Sequence, residues 1–254
     1  MGIRDALKGI WIPWDFLWNN SWSRRKINDG KLFQIELFLL GMILIAGPYF
    51  ITNIVAHNFL ETVWDPEIDL DREIPFVGWT IVPYVLLYAL YPLLAFSSPR
   101  DKRGQIELIV VIQFLFSVTI FCCFFFLLIP AEIDLRDQLV IPDLNPTEEF
   151  LFSLVHYFDN PWNAWPSLHV VHSFLICRII TFWTLRERKQ TTYRLLFLFL
   201  LWVEWILLSI SILTTKQHYI FDLFSGVIVS IVAWRLFYPI LNGPIKWKSE
   251  NISH

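Results

Sequence analysis

Two short stretches of the sequence hold most of the residues that could carry out chemistry. His169 follows Pro166 and Ser167 at the start of one long apolar run, and His218 lies four residues before Asp222 at the start of another. If the second stretch is helical, His218 and Asp222 share one face, and the carboxylate can orient the imidazole. An imidazole oriented in this way suits nucleophilic attack or proton transfer.

The apolar runs that carry these stretches indicate an integral membrane protein. Of 254 residues, 56% are hydrophobic and only 17% are charged, whereas soluble domains average about 25% charged residues. A helix needs about 20 apolar residues to cross a membrane. We therefore predict an all-α integral membrane protein with six transmembrane helices, at residues 33–56, 76–96, 106–130, 167–185, 195–214 and 219–239.

A tryptophan-rich segment precedes these spans. Trp11, Trp14 and Trp18 recur near helical spacing within residues 3–20, and indole rings favour the membrane–water interface. We predict an N-terminal interfacial helix, with a soluble amphipathic arm as the alternative. The predicted organisation is a cytoplasmic N-terminal interfacial segment at 1–30, a six-span catalytic membrane domain at 31–240 and a cytoplasmic tail at 241–254.

The charges between the spans predict the topology. Lys and Arg precede the first span, separate the second from the third and the fourth from the fifth, and follow the sixth, whereas loops 57–75 and 131–166 are acidic. Because Lys and Arg concentrate on the cytoplasmic side, both termini should be cytoplasmic. His169 and His218 then lie on the periplasmic, extracellular or lumenal face. The net charge of −3 does not favour nucleic-acid binding.

Phosphoryl chemistry suits the residues on that face. With Asp222 holding one ring nitrogen of His218, the other nitrogen can attack phosphorus. His169 can then protonate the leaving oxygen as a general acid. The cations in the same loops also favour a lipid partner with an anionic head group. The phosphate oxygens would be bound by Lys216, Arg136 and Ser167.

Together, the two stretches resemble motifs of the type 2 phosphatidic acid phosphatase superfamily. Asn163-Ala-Trp-Pro-Ser-Leu-His-Val170 resembles its PSGH-type motif, and Ser211-Ile-Leu-Thr-Thr-Lys-Gln-His218 followed by Asp222 resembles its SRxxxxxHxxxD motif. The resemblance covers roughly residues 70–240. It implies that His218 forms a phosphohistidine supported by Asp222, that His169 is the acid, and that no metal or other cofactor is needed.

The sequence departs from the family pattern at three places. Ile212 stands at the arginine position of the third motif, and Leu168 stands at the glycine position of PSGH. The first motif, KxxxxxxRP, is represented only by Arg136. We expect Lys216 to supply the charge that is lost at Ile212. The Thr-Lys-Gln-His-Tyr sequence around His218 is similar to the inositol phosphorylceramide synthase-like branch.

The main functional hypothesis is a membrane lipid phosphatase acting on a lipid phosphate or diphosphate through a phosphohistidine. One alternative is a lipid phosphotransferase of the sphingolipid or inositol phosphorylceramide synthase type. A second is a non-catalytic phospholipid-binding membrane protein, which the altered first motif favours. A binder has no need of His169, His218 and Asp222 together, so the enzymatic hypotheses are preferred.

Other polar residues have less specific predicted roles. Arg178 and Glu204 lie within predicted spans, and we expect them to form an ion pair because an intramembrane charge is costly. His156, Asp159 and Asn163 precede the PSLH sequence, and we expect them to line the mouth of the site.

Overall fold

The computed structural model describes residues 12–139, 144–186, 191–245 and 247, and over these ranges the regular elements are helices. Six helices are long and apolar enough to cross a membrane: Lys31–Phe59, Ile81–Ser97 together with the turn before it, Lys102–Leu128, Leu168–Arg186, Thr192–Thr214 and Ile220–Asn242. This confirms the predicted all-α fold with six spans. In chain order the helices are α1 (Asp15–Ser23), α2 (Lys31–Phe59), α3 (Asp69–Glu73), α4 (Ile81–Ser97), α5 (Lys102–Leu128), α6 (Pro146–Phe158), α7 (Leu168–Arg186), α8 (Thr192–Thr214) and α9 (Ile220–Asn242).

Local capping signals account for where several helices begin. The Asp101 carboxylate accepts the Gly104 N–H at 2.9 Å at the start of α5. At the start of α6, the Asn145 side chain accepts the Glu148 N–H at 3.0 Å, and the Asn145 N–H donates to the Glu148 carboxylate. Pro146 is the first helical residue. These side chains satisfy N–H groups that a helix leaves unpaired. The loop predicted at 131–166 therefore contains a helix, α6.

The spans run alternately up and down, so their ends form two opposite polar surfaces. At one end, which we call the site end, the Ser167 N–H donates to the Asp222 carbonyl at 3.2 Å and the Val77 N–H donates to the Thr214 carbonyl at 3.0 Å. At the opposite end, Gln34 Nε2 donates to the Ser98 carbonyl at 3.3 Å. The spans α5 and α7 are the most buried of the six, and the others surround them.

The N-terminal helix packs along α5. Residues 3–11 of the predicted interfacial segment lie outside the described residues. From residue 12 onward, Trp18 is fully buried, and its indole N–H donates to Gln113 Oε1 at 2.6 Å. Gln113 lies eleven residues into α5, a depth of roughly 16 Å at about 1.5 Å per residue. The buried Gln113 amide needs a polar partner, and the Trp18 indole supplies it. The interfacial position of this helix stays a prediction.

The predicted pair of Arg178 and Glu204 is wrong. Among the described residues no ion pair joins them: the Arg178 guanidinium lies over the Trp234 ring, 4.9 Å from its centroid. Glu204 Oε1 has no hydrogen-bond partner within the described ranges. Arg178 is thus stabilised by a cation–π contact with α9.

A different carboxylate ties the bundle together at the opposite end. Glu107 of α5 is fully buried and accepts Arg186 Nη1 and Nη2 of α7 at 2.5 and 2.9 Å. Arg103 Nε donates to the same carboxylate at 2.8 Å, and the Trp183 indole donates at 2.9 Å. We call these four residues the Glu107 cluster. Two cations and a neutral donor compensate one buried charge.

Candidate active site

The start of α9 holds the His218–Asp222 pair. Asp222 is the third residue of α9, and its Oδ2 accepts the Tyr219 N–H at 2.9 Å as a helix cap. The same oxygen lies 3.0 Å from His218 Nδ1. His218 itself precedes the helix, so the pair forms through the capping geometry and not through a shared helix face. Because Asp222 Oδ2 accepts from Nδ1–H, the Nε2 lone pair of His218 is left free to react.

Ser167 lies against the free nitrogen of His218. Its Oγ is 3.3 Å from His218 Nε2, and the Ser167 side chain is fully buried immediately before α7. Gly226, one turn after Asp222, allows this approach: a Cβ there would stand 3.1 Å from both the Ser167 carbonyl oxygen and Val170 Cβ. A larger residue at 226 would push α9 away from the start of α7.

His169 faces the same space from the first turn of α7. Its ring centroid is 5.5 Å from that of His218 and 4.4 Å from that of Tyr84 in α4. His169 Nε2 is buried and has no hydrogen-bond partner among the described residues. An unpaired buried ring nitrogen is costly unless a ligand completes it. The structure therefore brings His169, His218, Asp222 and Ser167 together.

Lys216 is placed differently from the other predicted site residues. Its side chain is buried, and its ammonium donates to the Asp71 carbonyl in α3 at 3.0 Å. Burial lowers the pKa of the Lys216 amine, an effect that the nearby Asp71 opposes. Lys216 also has a φ of 60°, a left-handed conformation that is uncommon for a residue with a side chain. This hydrogen bond makes Lys216 an anchor of the loop before His218.

Asp71 secures the other end of this loop. Its Oδ1 accepts the Ile220 N–H at 2.7 Å, at the start of α9, while its Oδ2 accepts the Ile68 N–H at 2.9 Å. Together with the Lys216 bond, this fixes α3 to both sides of His218. Sequence reasoning missed Asp71 because it is one of many carboxylates in an acidic loop, and nothing local distinguishes it.

Arg136, in the segment after α5, contacts the loop before α9 that carries His218. Its Nη2 donates to the Asp159 carbonyl at 2.7 Å and to Gln217 Oε1 at 3.1 Å. Its Nε is buried without a hydrogen-bond partner in the part of the chain that the structure describes. Burial lowers the pKa of Arg136, and the negative charge of Asp159 opposes that shift. Arg136 is thus bonded to Gln217, the residue before His218, and its Nε–H is still available to donate.

Asp159 brings a second carboxylate close to the site. The Tyr49 hydroxyl donates to it at 2.7 Å, and Asn53 Nδ2 lies 3.3 Å from the same oxygen. Burial raises the pKa of Asp159, while the nearby His218 and Arg136 oppose the shift. Sequence reasoning included Asp159 but missed Tyr49 and Tyr84. Polar groups near the ends of apolar spans were the only signal that could have found them.

The six-span bundle thus carries two histidines, a paired aspartate and a serine together at one end. A family model described as the PAP2 superfamily matches residues 108–245. The chain belongs to this superfamily, whose members are generally phosphatases or phosphotransferases acting on phosphate-containing lipids. A comparison with curated proteins finds no match. Similarity to the inositol phosphorylceramide synthase-like branch stays a prediction.

Proposed function

We propose that this protein is a membrane lipid phosphatase that cleaves a lipid phosphate or diphosphate through a phosphohistidine at His218. One observation carries the proposal: the 3.0 Å contact between His218 Nδ1 and Asp222 leaves Nε2 directed at the space shared with Ser167 and His169. A neutral imidazole held in this tautomer is a nucleophile.

In the first step, His218 Nε2 attacks the phosphorus, and the bond between phosphorus and the leaving oxygen breaks. Protonated His169 gives its proton to that oxygen, so the lipid leaves as an alcohol, or as a monophosphate when the substrate is a diphosphate. Asp222 stabilises the positive charge that develops on the His218 ring. The 5.5 Å separation of the two ring centroids supports one phosphoryl group touching both.

In the second step, a water molecule attacks the phosphohistidine while neutral His169 accepts a proton from it. The bond between phosphorus and His218 Nε2 breaks, which releases phosphate and regenerates the imidazole. If a lipid alcohol takes the place of water, the same residues perform a phosphotransferase reaction. The family match supports either outcome, and hydrolysis is the simpler proposal because it needs no second lipid.

Three groups are proposed to bind the phosphate oxygens. Ser167 Oγ is 3.3 Å from the attacking nitrogen, and Arg136 has a buried Nε without a partner among the described residues. Both observations support contact with a phosphate. Lys216 contributes positive charge to the same loop, with its ammonium held by Asp71. Donors fixed before substrate arrives stabilise the charge of the transition state.

The side of the membrane is also part of the proposal. Loops rich in Lys and Arg lie at the opposite end, which supports a cytoplasmic location for that end. The site end would then face the periplasm, the cell exterior or an organelle lumen. The described N- and C-terminal segments meet at the opposite end, where the Trp22 and Trp247 ring centroids are 4.8 Å apart. Their contact supports both termini on the same side.

The proposed test uses purified protein in detergent with phosphatidate, a prenyl diphosphate, or a phosphoinositide together with ceramide. His218→Ala should lower turnover of the accepted substrate by at least about 10³-fold, because it removes the nucleophile. His57→Ala is the matched control, since His57 is an exposed histidine at the site end, and it should retain full activity. Turnover in His218→Ala equal to that of the unmodified protein would rule out the mechanism. Phosphate-dependent binding without turnover of any of these lipids would favour the non-catalytic alternative.

A further inference from the structure

A cavity of about 140 Å³ opens beside the proposed acid, between α2, α4 and α7. His169 and Leu168 form its wall on the α7 side. Ile45 and Ala46 of α2 and Leu87 of α4 supply an apolar lining. Tyr49, Tyr91 and His172 also line the cavity, but their polar groups are paired within the protein: the Tyr49 hydroxyl donates to Asp159, and the Tyr91 hydroxyl lies 2.7 Å from His172 Nδ1. The surface that these residues offer to a ligand is therefore mainly apolar.

The rim of this cavity faces the surroundings of the bundle. Phe50 of α2 and Tyr88 of α4 line the cavity and are 40% and 51% exposed. Both lie on membrane-spanning helices, so the medium they face is lipid hydrocarbon. The cavity therefore connects the hydrocarbon core of the membrane with the ring of His169, without passing through the polar loops of the site end.

We propose that this cavity binds the part of one hydrocarbon chain that adjoins the phosphate of the lipid substrate, with the rest of the chain leaving between Phe50 and Tyr88 into the membrane. The proposal rests on the proposed function, because it makes the substrate a lipid whose phosphate reaches His169. Because the cavity opens to the membrane, the chain can pass from one apolar medium into another without exposure to water.

The occupant follows from the position of the cavity. A phosphate ester bound between His218 and His169 directs its leaving oxygen toward His169, since that residue protonates it. The chain attached to that oxygen then continues past His169, and the cavity is the apolar space that His169 lines. The cavity walls from α2 and α4 precede residue 108, so they lie outside the segment that the family model matches. Two of the three helices that form the cavity therefore lie outside that segment, and only the α7 wall comes from the motif region.

The experiment uses phosphatidate that carries a photoreactive diazirine near the ester end of one acyl chain. After irradiation of the full-length protein, mass spectrometry should locate the label on peptides covering 42–50 and 87–91. Ala46→Phe, which fills the cavity, should reduce this labelling at least fivefold, and Ala46→Leu should reduce it less. Ala89→Phe is the matched control, because Ala89 is an exposed residue of α4, and labelling should not change.

The variant His218→Ala separates this proposal from the proposed function. It should keep the labelling pattern, because it removes the nucleophile and leaves the cavity intact. Labels on other helices, or equal labelling in Ala46→Phe and Ala89→Phe, would overturn the chain site. Undiminished turnover in His218→Ala would instead overturn the phosphohistidine mechanism. If Ala46→Phe does not fold, the smaller Ala46→Leu carries the comparison: reduced labelling supports the site, and unchanged labelling refutes it.

Discussion

Buried charged residues form two clusters at opposite ends of the bundle, and they differ in how completely they are paired. In the Glu107 cluster, Arg103, Arg186 and Trp183 donate to both oxygens of one carboxylate. At the site end, His169 Nε2, Asp222 Oδ1 and Arg136 Nε are buried without hydrogen-bond partners among the described residues. A completed network stabilises the fold, whereas an incomplete one retains groups that a substrate can satisfy.

The same difference appears in the elements that supply the residues. The Glu107 cluster comes from two helices, α5 and α7, with long side chains that reach across the packed interface. The site end depends on helix starts and loops, held by the bonds of Asp71 to Ile220 and Lys216. Loops placed on a rigid scaffold are where functional groups are commonly found. Mutations should therefore separate stability, at the Glu107 cluster, from activity, at the site end.

The largest effect is expected at the Glu107 cluster. Glu107→Ala leaves two arginines and an indole without their acceptor, and breaking a buried pair in this way costs about 3–5 kcal/mol. Chemical unfolding in detergent should show this loss. The remaining folded protein should keep its turnover per molecule. The control is Glu36→Ala, whose partner Arg24 has a side chain that is 48% exposed, and this variant should lose less than about 1 kcal/mol. Equal losses in the two variants would contradict the structural role of Glu107.

The next effect is the converse, a loss of activity with little loss of stability. Asp222→Asn should lower kcat by about 10³-fold, because a neutral amide oxygen no longer stabilises the positive charge that develops on the His218 ring. The asparagine oxygen can still cap Tyr219, so unfolding should change by less than about 1 kcal/mol. Glu204→Gln provides a carboxylate control within a span, and kcat should stay unchanged there. Asp222→Asn with normal kcat would remove Asp222 from the mechanism.

A smaller, mixed effect is expected at Lys216, where anchoring and phosphate binding coincide. Lys216→Met should lower stability by about 1–3 kcal/mol through loss of the charged donor to the Asp71 carbonyl. It should also lower kcat/KM by about tenfold. Arg103→Met at the opposite end is the matched control, with a loss of stability only. Normal stability in Lys216→Met would argue against the anchor, and a normal kcat/KM would argue against phosphate binding.

The smallest effect concerns pH at the site end. Burial and the charge of Arg136 lower the pKa of His156 from 6.5 to about 4. The folded state thus favours the neutral ring, whose Nε2 lies 3.2 Å from Gln217 Nε2. The stability that depends on a neutral His156 is fully present above pH 6.5. It is lost as the pH falls toward about 4, because the unfolded chain binds a proton at His156 more readily than the folded chain does. In melting curves across this range, His156→Gln should flatten the acid-side decline, while the exposed His57→Gln should not. Identical pH profiles for the unmodified protein and His156→Gln would contradict the assigned pKa.

Much of the fold and part of the site could be predicted from local patterns. The six spans follow from apolar runs. The pairing of His218 with Asp222 was predicted from a shared helix face, but it forms because Asp222 caps the start of α9. The partners of isolated charges could not be predicted in the same way. Arg178 contacts Trp234 and not Glu204, because helix rotation about its axis decides which of several polar or aromatic groups a side chain meets. A sequence pattern gives the depth of such a residue but not its partner.

By itself, the sequence determined the helical membrane class and the number of spans, since hydrophobicity is a local property of the chain. It also singled out His169, His218 and Asp222 as candidate site residues, because they stand at the starts of apolar runs. The tertiary structure decided which groups meet: Tyr84 contacts His169, Asp71 binds the loop that carries His218, and an apolar cavity lies beside His169. These contacts join residues far apart in the chain. Their formation depends on how the six spans pack and rotate against one another, which no local pattern encodes.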